Sequence, residues 1–427
     1  MTDLKGKTVL VVGLGKSGVA AARLLTRLGA TVLATDRRPA SEMQAELKVL
    51  PRAVEVEAGG EKFFDRPLDL IVVSPGVPWK HPRLVAARRS GIPVWPELEL
   101  GWRNVSPKKT IAITGTNGKT TTTALVGHLL KAAGRNVVVG GNIGTPLSAL
   151  TSKVGRGTHL VLEVSSYQLE GHETFHPNVG VLLNLTPDHL ARHRTMAGYA
   201  RAKGRLFEKF TGADTAVLNR NDRWCRAIGR RVSGKKAWFP TPELEKIAAH
   251  IKLPGRHNRE NAMAAAAAVE AVGVSRAKIE RALRTFKGVP HRIETVLTRG
   301  GVRYVNDSKS TNVDSTTVAL KSFDEPLLLI LGGEHKGSPY VPLRPLVKRN
   351  VKRIFTIGEA APLVKKDLGG VVPVQTCGTL RNAVKAAAKT AEPGDVVLLS
   401  PACASFDQFR NYEHRGEEFA RIVREVA

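Results

Sequence analysis

The chain has 427 residues and a formal net charge of +27, which exclude a small single-core protein and predict a strongly basic surface. No uncharged apolar run reaches the about 18 residues of a membrane-spanning helix. The N-terminus enters a strand-like segment, "KTVLVVG", without a signal-peptide pattern. Cys225, Cys377 and Cys403 are far apart, which predicts neither a disulfide framework nor a paired metal site. We therefore expect a cytoplasmic protein.

The positive charge is locally concentrated in "GRRVSGKK" at residues 229–236 and in "RPLVKRNVKR" at residues 344–353. Neither segment interleaves its cations with the aromatic side chains on which a single-strand binder stacks bases. The pattern favours a solvated basic face, no specific nucleic-acid partner and a weak electrostatic attraction to anionic membrane surfaces. A nucleic-acid-associated ATPase stays open as an alternative class.

Three stretches of the chain alternate short apolar runs with helical segments. They begin near residues 7, 110 and 290. Such alternation is typical of parallel sheets with crossover helices. We predict an α/β fold of three consecutive domains: a Rossmann-like N-terminal domain at 1–97, a P-loop mononucleotide-binding central domain at 98–288 and a Rossmann-like C-terminal domain at 289–427.

The first domain carries a glycine-rich turn, "GLGKSG" at 13–18, between a predicted strand and a predicted helix. About 20 residues later a strand ends in Asp36, as in the dinucleotide-binding fingerprint. Taken alone, this pattern predicts an NAD-dependent dehydrogenase. The same geometry also holds the pyrophosphate of other nucleotides, because the anion lies at the helix N-terminus whatever the nucleoside is.

The segment "IAITGTNGKTTTT" at 111–123 has the order strand, glycine turn and helix that builds a phosphate-binding loop. Ile113 occupies the position of the first loop glycine, whereas Gly118, Lys119 and Thr120 match the motif. We expect Lys119 to reach the outer phosphates of a nucleotide and the Thr120 hydroxyl to contact magnesium. Glu163 ends another predicted strand at the same sheet edge and is a candidate second magnesium ligand.

Further motifs follow one another along the chain in an order typical of one family. They are "GTNGKTTT", "GGNIGTP" (140–146), "NLTPDHLARH" (184–193), "GRHNRENAMAA" (255–265), "VPHR" (289–292), "NDSKSTN" (306–312) and "SPACASFDQFRNYEHRG" (400–416). With these motifs the chain resembles the Mur ligase family over essentially its whole length. The resemblance implies an ATP-dependent, amide-forming ligase of cytoplasmic peptidoglycan precursor synthesis.

Within that family, "NDSKSTN", "SPACASFDQF" and "GLGKSG" favour the branch that adds D-glutamate to UDP-N-acetylmuramoyl-L-alanine. The resemblance implies that ATP phosphorylates the substrate carboxylate and that the glutamate amine then attacks the acyl phosphate. The turn at 13–18 would hold the UDP moiety, which removes the need for NAD. A related ligase that adds another amino acid, such as L-glutamate, is the alternative. A monomer is expected.

The resemblance names Lys119, His189 and Lys203 as catalytic residues. It implies ATP and two Mg²⁺ ions as cofactors. It also implies that Lys203 is carbamoylated, because carbon dioxide converts this cation into an anionic oxygen ligand. The implied metal ligands are Thr120, Glu163, His189 and Lys203.

The resemblance also implies three sets of binding residues. The ATP set is Gly115, Thr116, Asn117, Gly118, Lys119, Thr120, Thr121, Asn258, Asn261, Arg292 and Asp307. The UDP-substrate set is Leu14, Gly15, Lys16, Ser17, Asp36, Arg37, Ser74, Gly76 and Asn142. The glutamate set is His189, Lys309, Thr311, Lys336, Ser405 and Tyr412. Tyr412 stands where the family pattern predicts phenylalanine, and Glu334 and His335 stand where aspartate and glycine are more frequent; both departures keep the charges that the site needs.

Overall fold

The computed structural model of the protein describes residues 3–142, 144–253, 255–335 and 339–427. These residues form three sheets with helices packed against them, which confirms the α/β fold class. They divide into two compact units: the first holds the chain up to Lys252 and Asn258–Phe286, and the second holds Leu253–His257 and Lys287–Ala427. The domain boundaries at residues 97 and 288 stay predictions. None of the helices in the described ranges is long and apolar enough to cross a bilayer.

The N-terminal sheet is five-stranded and parallel, in the order β3-β2-β1-β4-β5. Its central strands are short apolar runs that are buried on both faces, as expected for a parallel sheet covered by helices. The order reverses between β1 and β4, so the carboxyl ends of these strands open a crevice where such folds bind ligands. The elements are β1 (Thr8–Val12), α1 (Lys16–Arg27), β2 (Thr31–Asp36), α2 (Gln44–Val49), β3 (Glu55–Ala58), β4 (Leu70–Val73), α3 (Pro82–Arg89), β5 (Val94–Pro96) and α4 (Glu97–Trp102).

The central sheet is six-stranded and parallel, in the order β11-β10-β9-β6-β8-β7. The alanine-rich segment forms a packed helix, α12, whose residues 261–269 are all buried. The elements are β6 (Lys109–Thr114), α5 (Lys119–Ala132), β7 (Val137–Gly141), α6 (Leu147–Leu150), β8 (His159–Glu163), α7 (Ser166–Leu169), β9 (Val179–Leu182), α8 (Leu190–His193), α9 (Met196–Gly204), β10 (Thr215–Asn219), α10 (Arg223–Gly229), β11 (Lys235–Phe239), α11 (Pro242–Ala248), α12 (Arg256–Glu270) and α13 (Arg276–Leu283).

The C-terminal sheet has six strands in the order β12-β13-β17-β14-β15-β16. Only β12 is antiparallel to its neighbour, and Gly300 and Gly301, both with positive φ, form the turn of this edge hairpin. The elements are β12 (Glu294–Arg299), β13 (Val302–Asn306), α14 (Val313–Leu320), β14 (Leu327–Gly332), α15 (Arg344–Asn350), β15 (Val351–Ile357), α16 (Ala361–Leu368), β16 (Val374–Gly378), α17 (Leu380–Thr390), β17 (Val396–Leu399) and α18 (Tyr412–Val426).

Two buried glutamates of α4 connect the N-terminal sheet to the central one. The Glu97 carboxylate accepts a hydrogen bond of 2.7 Å from the Ser148 backbone N–H in α6, while its Oε2 has no partner among the described residues. Burial raises the pKa of Glu97. Glu99 is also buried, but it accepts hydrogen bonds from Thr174, from neighbouring backbone N–H groups and from Arg103. These bonds outweigh the cost of burial and lower the pKa of Glu99.

We expect Glu97→Gln to stabilise the protein at pH 8 by about 1 kcal/mol or more relative to wild type, because it removes an incompletely paired buried charge. The raised pKa of Glu97 means that the native state binds this proton more tightly than the unfolded state. Its stabilising contribution is complete below the unfolded pKa and is lost as the pH rises through the folded one. The gain from glutamine should therefore vanish toward pH 4, as measured by urea unfolding across this range.

Glu99→Gln is the matched control, because the lowered pKa of Glu99 gives a contribution of the opposite sign. That contribution is present above the unfolded pKa and is lost as the pH falls through the folded one. Glu99→Gln should have a lower free energy of unfolding than wild type at pH 8, and the difference should be smaller at acidic pH. If the stabilities of Glu97→Gln and Glu99→Gln changed with pH in the same way, the opposite pKa shifts of the two glutamates would be contradicted.

Candidate active site

The turn between β6 and α5 has the backbone of a phosphate-binding loop. Gly115 and Gly118 have φ values of 146° and 85°, which side chains rarely adopt. A Cβ at Gly115 would lie 3.0 Å from the Cβ of Leu183, and one at Gly118 would overlap the Asn261 amide oxygen. The loop is thus pressed against the end of β9 and against α12, with the N-terminus of the 14-residue helix α5 above it. Such an end binds anions through its N–H groups and its dipole.

Side chains of the segment after β9 hold the loop in place. The Asn184 side chain accepts from the Asn117 N–H at 2.9 Å and donates to the Asn117 carbonyl at 3.1 Å. The Thr116 hydroxyl accepts from the Thr186 N–H at 3.1 Å. Lys119 donates to the Thr116 carbonyl at 2.7 Å, so its ammonium lies over the loop. Sequence reasoning assigned no role to Asn184, although this residue opens the motif at 184–193.

Glu163 lies at the carboxyl end of β8 and is almost fully buried. It accepts from the Thr120 hydroxyl at 2.9 Å and from the Asn142 side-chain amide at 3.0 Å. The structure thus places Asn142, expected in the UDP-substrate set, beside the candidate metal ligands. No group of three or more His, Cys, Asp or Glu side chains in the described ranges forms a metal site. A hydroxyl and one carboxylate nevertheless fit Mg²⁺, which keeps waters and binds substrate phosphates.

Lys203 lies on α9 and is only 1% exposed. It is among the largest side chains of the described residues that are fully buried. Its Nζ donates to the Thr114 hydroxyl at 3.2 Å and lies 4.9 Å from the Tyr199 ring centroid. Within the described residues it forms no ion pair. Burial, and then the nearby positive charge of Lys119, hold the pKa of Lys203 well below its ordinary value. The amine is therefore neutral far more readily than a surface lysine.

His189 is the N-cap residue immediately before α8 and has a left-handed backbone, with φ of 54°. Its Nδ1 lies 3.0 Å from the Tyr167 hydroxyl and its Nε2 lies 3.3 Å from Asp188. The ring centroid is 6.3 Å from that of Tyr199, so His189 and Lys203 flank the same tyrosine. A non-glycine residue held in this backbone region is common at functional sites.

Arg192, on the same short helix, connects this region to the N-terminal sheet. Its guanidinium pairs with Glu170 at 2.6 Å and donates to the Val77 carbonyl at 3.0 Å. Val77 belongs to the segment "SPGVP" at 74–78, the loop that directly follows β4. This contact fixes that loop beside the segment carrying His189.

A cavity of about 160 Å³ lies at the carboxyl edge of the N-terminal sheet, in the crevice between β1 and β4. Arg37 and Gly76, both expected in the UDP-substrate set, line it. The Ser74 hydroxyl donates to the Gly13 carbonyl at 2.6 Å and ties two of its loops together. The cavity is lined by Val12, Gly13, Thr35, Arg37, Gly60, Glu61, Phe64, Gly76, Val77, Pro78 and His81.

Asp36 contacts the glycine turn itself. Its carboxylate accepts from the Leu14 N–H at 2.7 Å and pairs with Arg38 at 3.1 Å. Burial opposes the charge, but the bonds from Arg38 and Leu14 outweigh it and lower the pKa of Asp36. Gly15, Lys16 and Ser17 complete the turn and open α1. The Asp36 carboxylate therefore braces the loop in this structure.

On α12, both asparagines of the expected ATP set are buried at 6% exposure. Asn261 lies directly against Gly118, so the first turns of α12 pack on the phosphate loop. Thr121 is buried in the first turn of α5. Asn258 and Asn261 are three residues apart on the same helix, which places them on one face.

In the second compact unit, Asp307 directly follows β13 and has no exposed surface. Its carboxylate accepts from Ser400 at 2.8 Å, from Ser310 and from Arg292 at 3.4 Å. Burial raises the pKa of Asp307 despite the Arg292 charge. Arg292 also donates to Ser310 at 2.8 Å. The two residues expected to bind ATP thus contact each other inside one network.

The described residues of the expected glutamate set in this unit lie on strand-end loops and at the start of α18. Lys309 Nζ is 5.7 Å from the Tyr412 ring centroid, which brings these two together. Ser405 is buried after β17, and Thr311 precedes α14. Lys336 lies outside the described residues. Cys403, two residues before Ser405, is buried and lies 2.8 Å from the Tyr340 hydroxyl.

Arg415 is a buried residue of this region that sequence reasoning missed. It has no exposed surface, and burial lowers its pKa to about 10. Its guanidinium contacts Ser308, Cys403 and Ala404, next to the expected glutamate-binding residues. No local pattern predicts an arginine in a core position.

Three family models match the chain. The Mur ligase MurD-like N-terminal domain matches residues 7–95, the Mur ligase middle domain matches 113–241, and the Mur ligase glutamate ligase domain matches 291–403. The UDP-N-acetylmuramoylalanine--D-glutamate ligase of Koribacter versatilis is 46% identical over 450 residues, covering 100% of this chain and 99% of the relative. The chain belongs to the Mur ligase family. This confirms the resemblance inferred from the motifs.

Other Mur ligases agree with this assignment. The UDP-N-acetylmuramoylalanine--D-glutamate ligase of Anaeromyxobacter dehalogenans is 46% identical over 458 residues, covering 100% of this chain and 99% of the relative. Among solved structures, the UDP-N-acetylmuramate-alanine ligase MurC of Thermotoga maritima has a TM-score of 0.60 at 18% identity, covering 99% of this chain and 100% of that chain. MurF of Acinetobacter baumannii has a TM-score of 0.58 at 17% identity, covering 99% and 92%. These structural matches support the Mur ligase fold alone.

Proposed function

We propose that this Mur ligase adds D-glutamate to UDP-N-acetylmuramoyl-L-alanine, with ATP consumed through an acyl-phosphate intermediate, in peptidoglycan precursor synthesis. The observation that carries the proposal is full-length 46% identity to relatives named for D-glutamate ligation. The phosphate loop beside Glu163 supports the use of a nucleoside triphosphate.

Each of the three domains binds a different substrate or part of one. Residues 1–97 hold the UDP substrate at the cavity beside Arg37 and Gly76. Residues 98–288 bind ATP at the β6–α5 loop, with Asn258 and Asn261 for the adenosine moiety. In 289–427, Arg292 and Asp307 are the proposed ATP-binding residues. The last domain also binds glutamate, through the cationic and hydroxyl side chains that suit a small dicarboxylate.

The chemistry needs positive charge, because a carboxylate attacking a phosphoryl group brings several negative charges together. The N-terminus of α5 and the Lys119 ammonium provide it at the loop. Magnesium held by Thr120 and Glu163 supplies further neutralisation of the phosphate charge when bound. His189 and a carbamoylated Lys203 are the proposed ligands of a second ion.

The environment of Lys203 supports carbamoylation. A neutral amine is the form that attacks carbon dioxide: the nitrogen–carbon bond forms, one C=O π bond opens to a carboxylate and one proton leaves to solvent. Burial and Lys119 favour the neutral amine. The resulting carboxylate would replace a buried amine, which has no ion-pair partner among the described residues, by a metal-ligating anion beside Tyr199 and Thr114.

We also propose a monomeric, cytoplasmic enzyme with a weak attraction to anionic membrane surfaces and no specific nucleic-acid partner. Residues 220–236 carry seven Lys or Arg side chains and one acid, Asp222. Asp222 caps α10, and none of the seven cations forms an ion pair within the described ranges. Trp224 and Trp238 are half-buried and pack against the core, so only part of each ring is open for stacking on a base. Anionic vesicles should retain the protein at low salt and release it near physiological ionic strength.

The decisive experiment measures phosphate release from ATP with UDP-N-acetylmuramoyl-L-alanine and D-glutamate, L-glutamate or no amino acid. Release that requires D-glutamate supports the proposal. Equal or faster release with L-glutamate would favour the related ligase. Stimulation by DNA or RNA, without any effect of the nucleotide sugar, would overturn the assignment and favour a nucleic-acid-associated ATPase.

A further inference from the structure

The buried guanidinium of Arg415 donates hydrogen bonds to backbone carbonyl oxygens and to one hydroxyl oxygen. It donates from Nε to the Ser308 hydroxyl at 2.9 Å and from Nη2 to the Ser308 carbonyl at 2.9 Å. It also donates to the Ala404 carbonyl at 2.9 Å and to the Cys403 carbonyl at 3.1 Å. No carboxylate in the described part of the chain lies within 4.0 Å of it. A buried charge of this kind is tolerated because its donors are satisfied.

These acceptors belong to two loops that carry proposed glutamate-binding residues. Ser308 follows β13 and directly precedes Lys309. Ala404 follows β17 and directly precedes Ser405. The Ser308 hydroxyl in turn donates to the Tyr412 carbonyl at 2.8 Å, which joins the start of α18 to the same network. One guanidinium therefore connects both loops and the helix between which the substrate would bind.

The loop after β14 packs on the same group. The Ala404 carbonyl that accepts from Arg415 also accepts from the Glu334 N–H at 3.1 Å. A Cβ at Gly333 would lie 3.0 Å from Nη1 of Arg415 and 3.2 Å from the Cβ of Cys403. Gly333 has a φ of 133°, so no side chain keeps the loop away from the guanidinium.

We propose that Arg415 is a positioning residue that sets the spacing of the strand-end loops forming the glutamate site, without itself touching substrate. This inference rests on the proposed function for its kinetic consequence. Lysine cannot replace it, because a single ammonium does not reproduce the planar set of donors that reaches three residues on two loops.

The kinetic test compares Arg415→Lys with wild type. We expect KM for D-glutamate to rise about tenfold or more, while KM for ATP and for the UDP substrate changes less than about twofold. Phe419→Leu is the matched control, because this buried residue lies one turn further along α18 in an apolar cluster that includes none of residues 308–311 or 403–405. It should lower Tm and leave KM for D-glutamate unchanged.

A measurement that does not need activity is hydrogen exchange of the backbone amides in residues 308–311 and 403–405. Exchange should accelerate in both segments of Arg415→Lys and in neither segment of the Phe419 variant. Unchanged exchange there, or an equal change in all three KM values, would overturn the inference. If Arg415→Lys does not fold, Ser308→Ala removes one acceptor and the link to Tyr412, and it should give a smaller effect of the same kind. If hydrogen exchange is faster in Arg415→Lys but the wild-type protein does not use D-glutamate, the proposed function is contradicted and the positioning role of Arg415 is not.

Discussion

Lys203→Met is expected to lose about 100-fold or more of the D-glutamate-dependent rate of phosphate release, measured at saturating substrate concentrations. Methionine fills nearly the same buried space between Tyr199 and Thr114 but does not take up carbon dioxide. The lost rate is therefore attributable to the missing metal ligand and not to a cavity. The variant should fold, since it removes a buried amine that forms no ion pair with the described residues and makes one hydrogen bond, to Thr114.

Lys209→Met is the control, because Lys209 is exposed and lies six residues further along the chain. Its rate should match wild type. Wild type depleted of bicarbonate should lose rate and recover it when bicarbonate returns, and native mass spectrometry should find one added carbon dioxide that Lys203→Met lacks. Wild-type activity in Lys203→Met would refute carbamoylation as a requirement.

The phosphate loop could be predicted because its determinants are local. The buried strand "TIAIT", the two glycines with positive φ and the helix that begins at Lys119 lie within a few residues of each other. The missing first glycine does not disturb this turn, because Ile113 is part of β6 and is fully buried. Alternation of strands and helices likewise predicted the three sheets.

Residues that depend on distant contacts could not be found in this way. Asn184 is 67 positions from Asn117, and Arg415 is 107 positions from Ser308. A lysine or an arginine on an amphipathic helix gives no local sign that tertiary packing has buried it. The resemblance pointed to Lys203, but its low pKa follows from packing that only the three-dimensional structure contains. The alternation of strands and helices does not predict the edge hairpin of β12 and β13, whose local signal is the Gly300-Gly301 turn.

Glu163→Gln is expected to reduce the rate by about 100- to 1000-fold at low Mg²⁺ and to raise the Mg²⁺ concentration for half-maximal rate by about tenfold or more. Glutamine keeps the shape of the side chain between Thr120 and Asn142 but removes its charge. The glutamine amide would also place a donor opposite Thr120 or Asn142, both of which donate to the carboxylate in the wild-type protein. Because the charge is what the substitution removes from the ion, the loss of rate should appear mainly as a changed dependence on Mg²⁺ concentration, measured by titrating Mg²⁺ at fixed ATP.

The matched control is Glu173→Gln, an exposed carboxylate that pairs with Arg103 at 2.8 Å in the same domain. An exposed pair contributes little to stability, so the Mg²⁺ dependence of this variant should equal that of wild type. If Glu163→Gln lowered the rate equally at every Mg²⁺ concentration, Glu163 would act by bracing Thr120 and Asn142 and not as a ligand. The slope of the titration, more than the size of the loss, thus separates electrostatic binding of the ion from support of the loop.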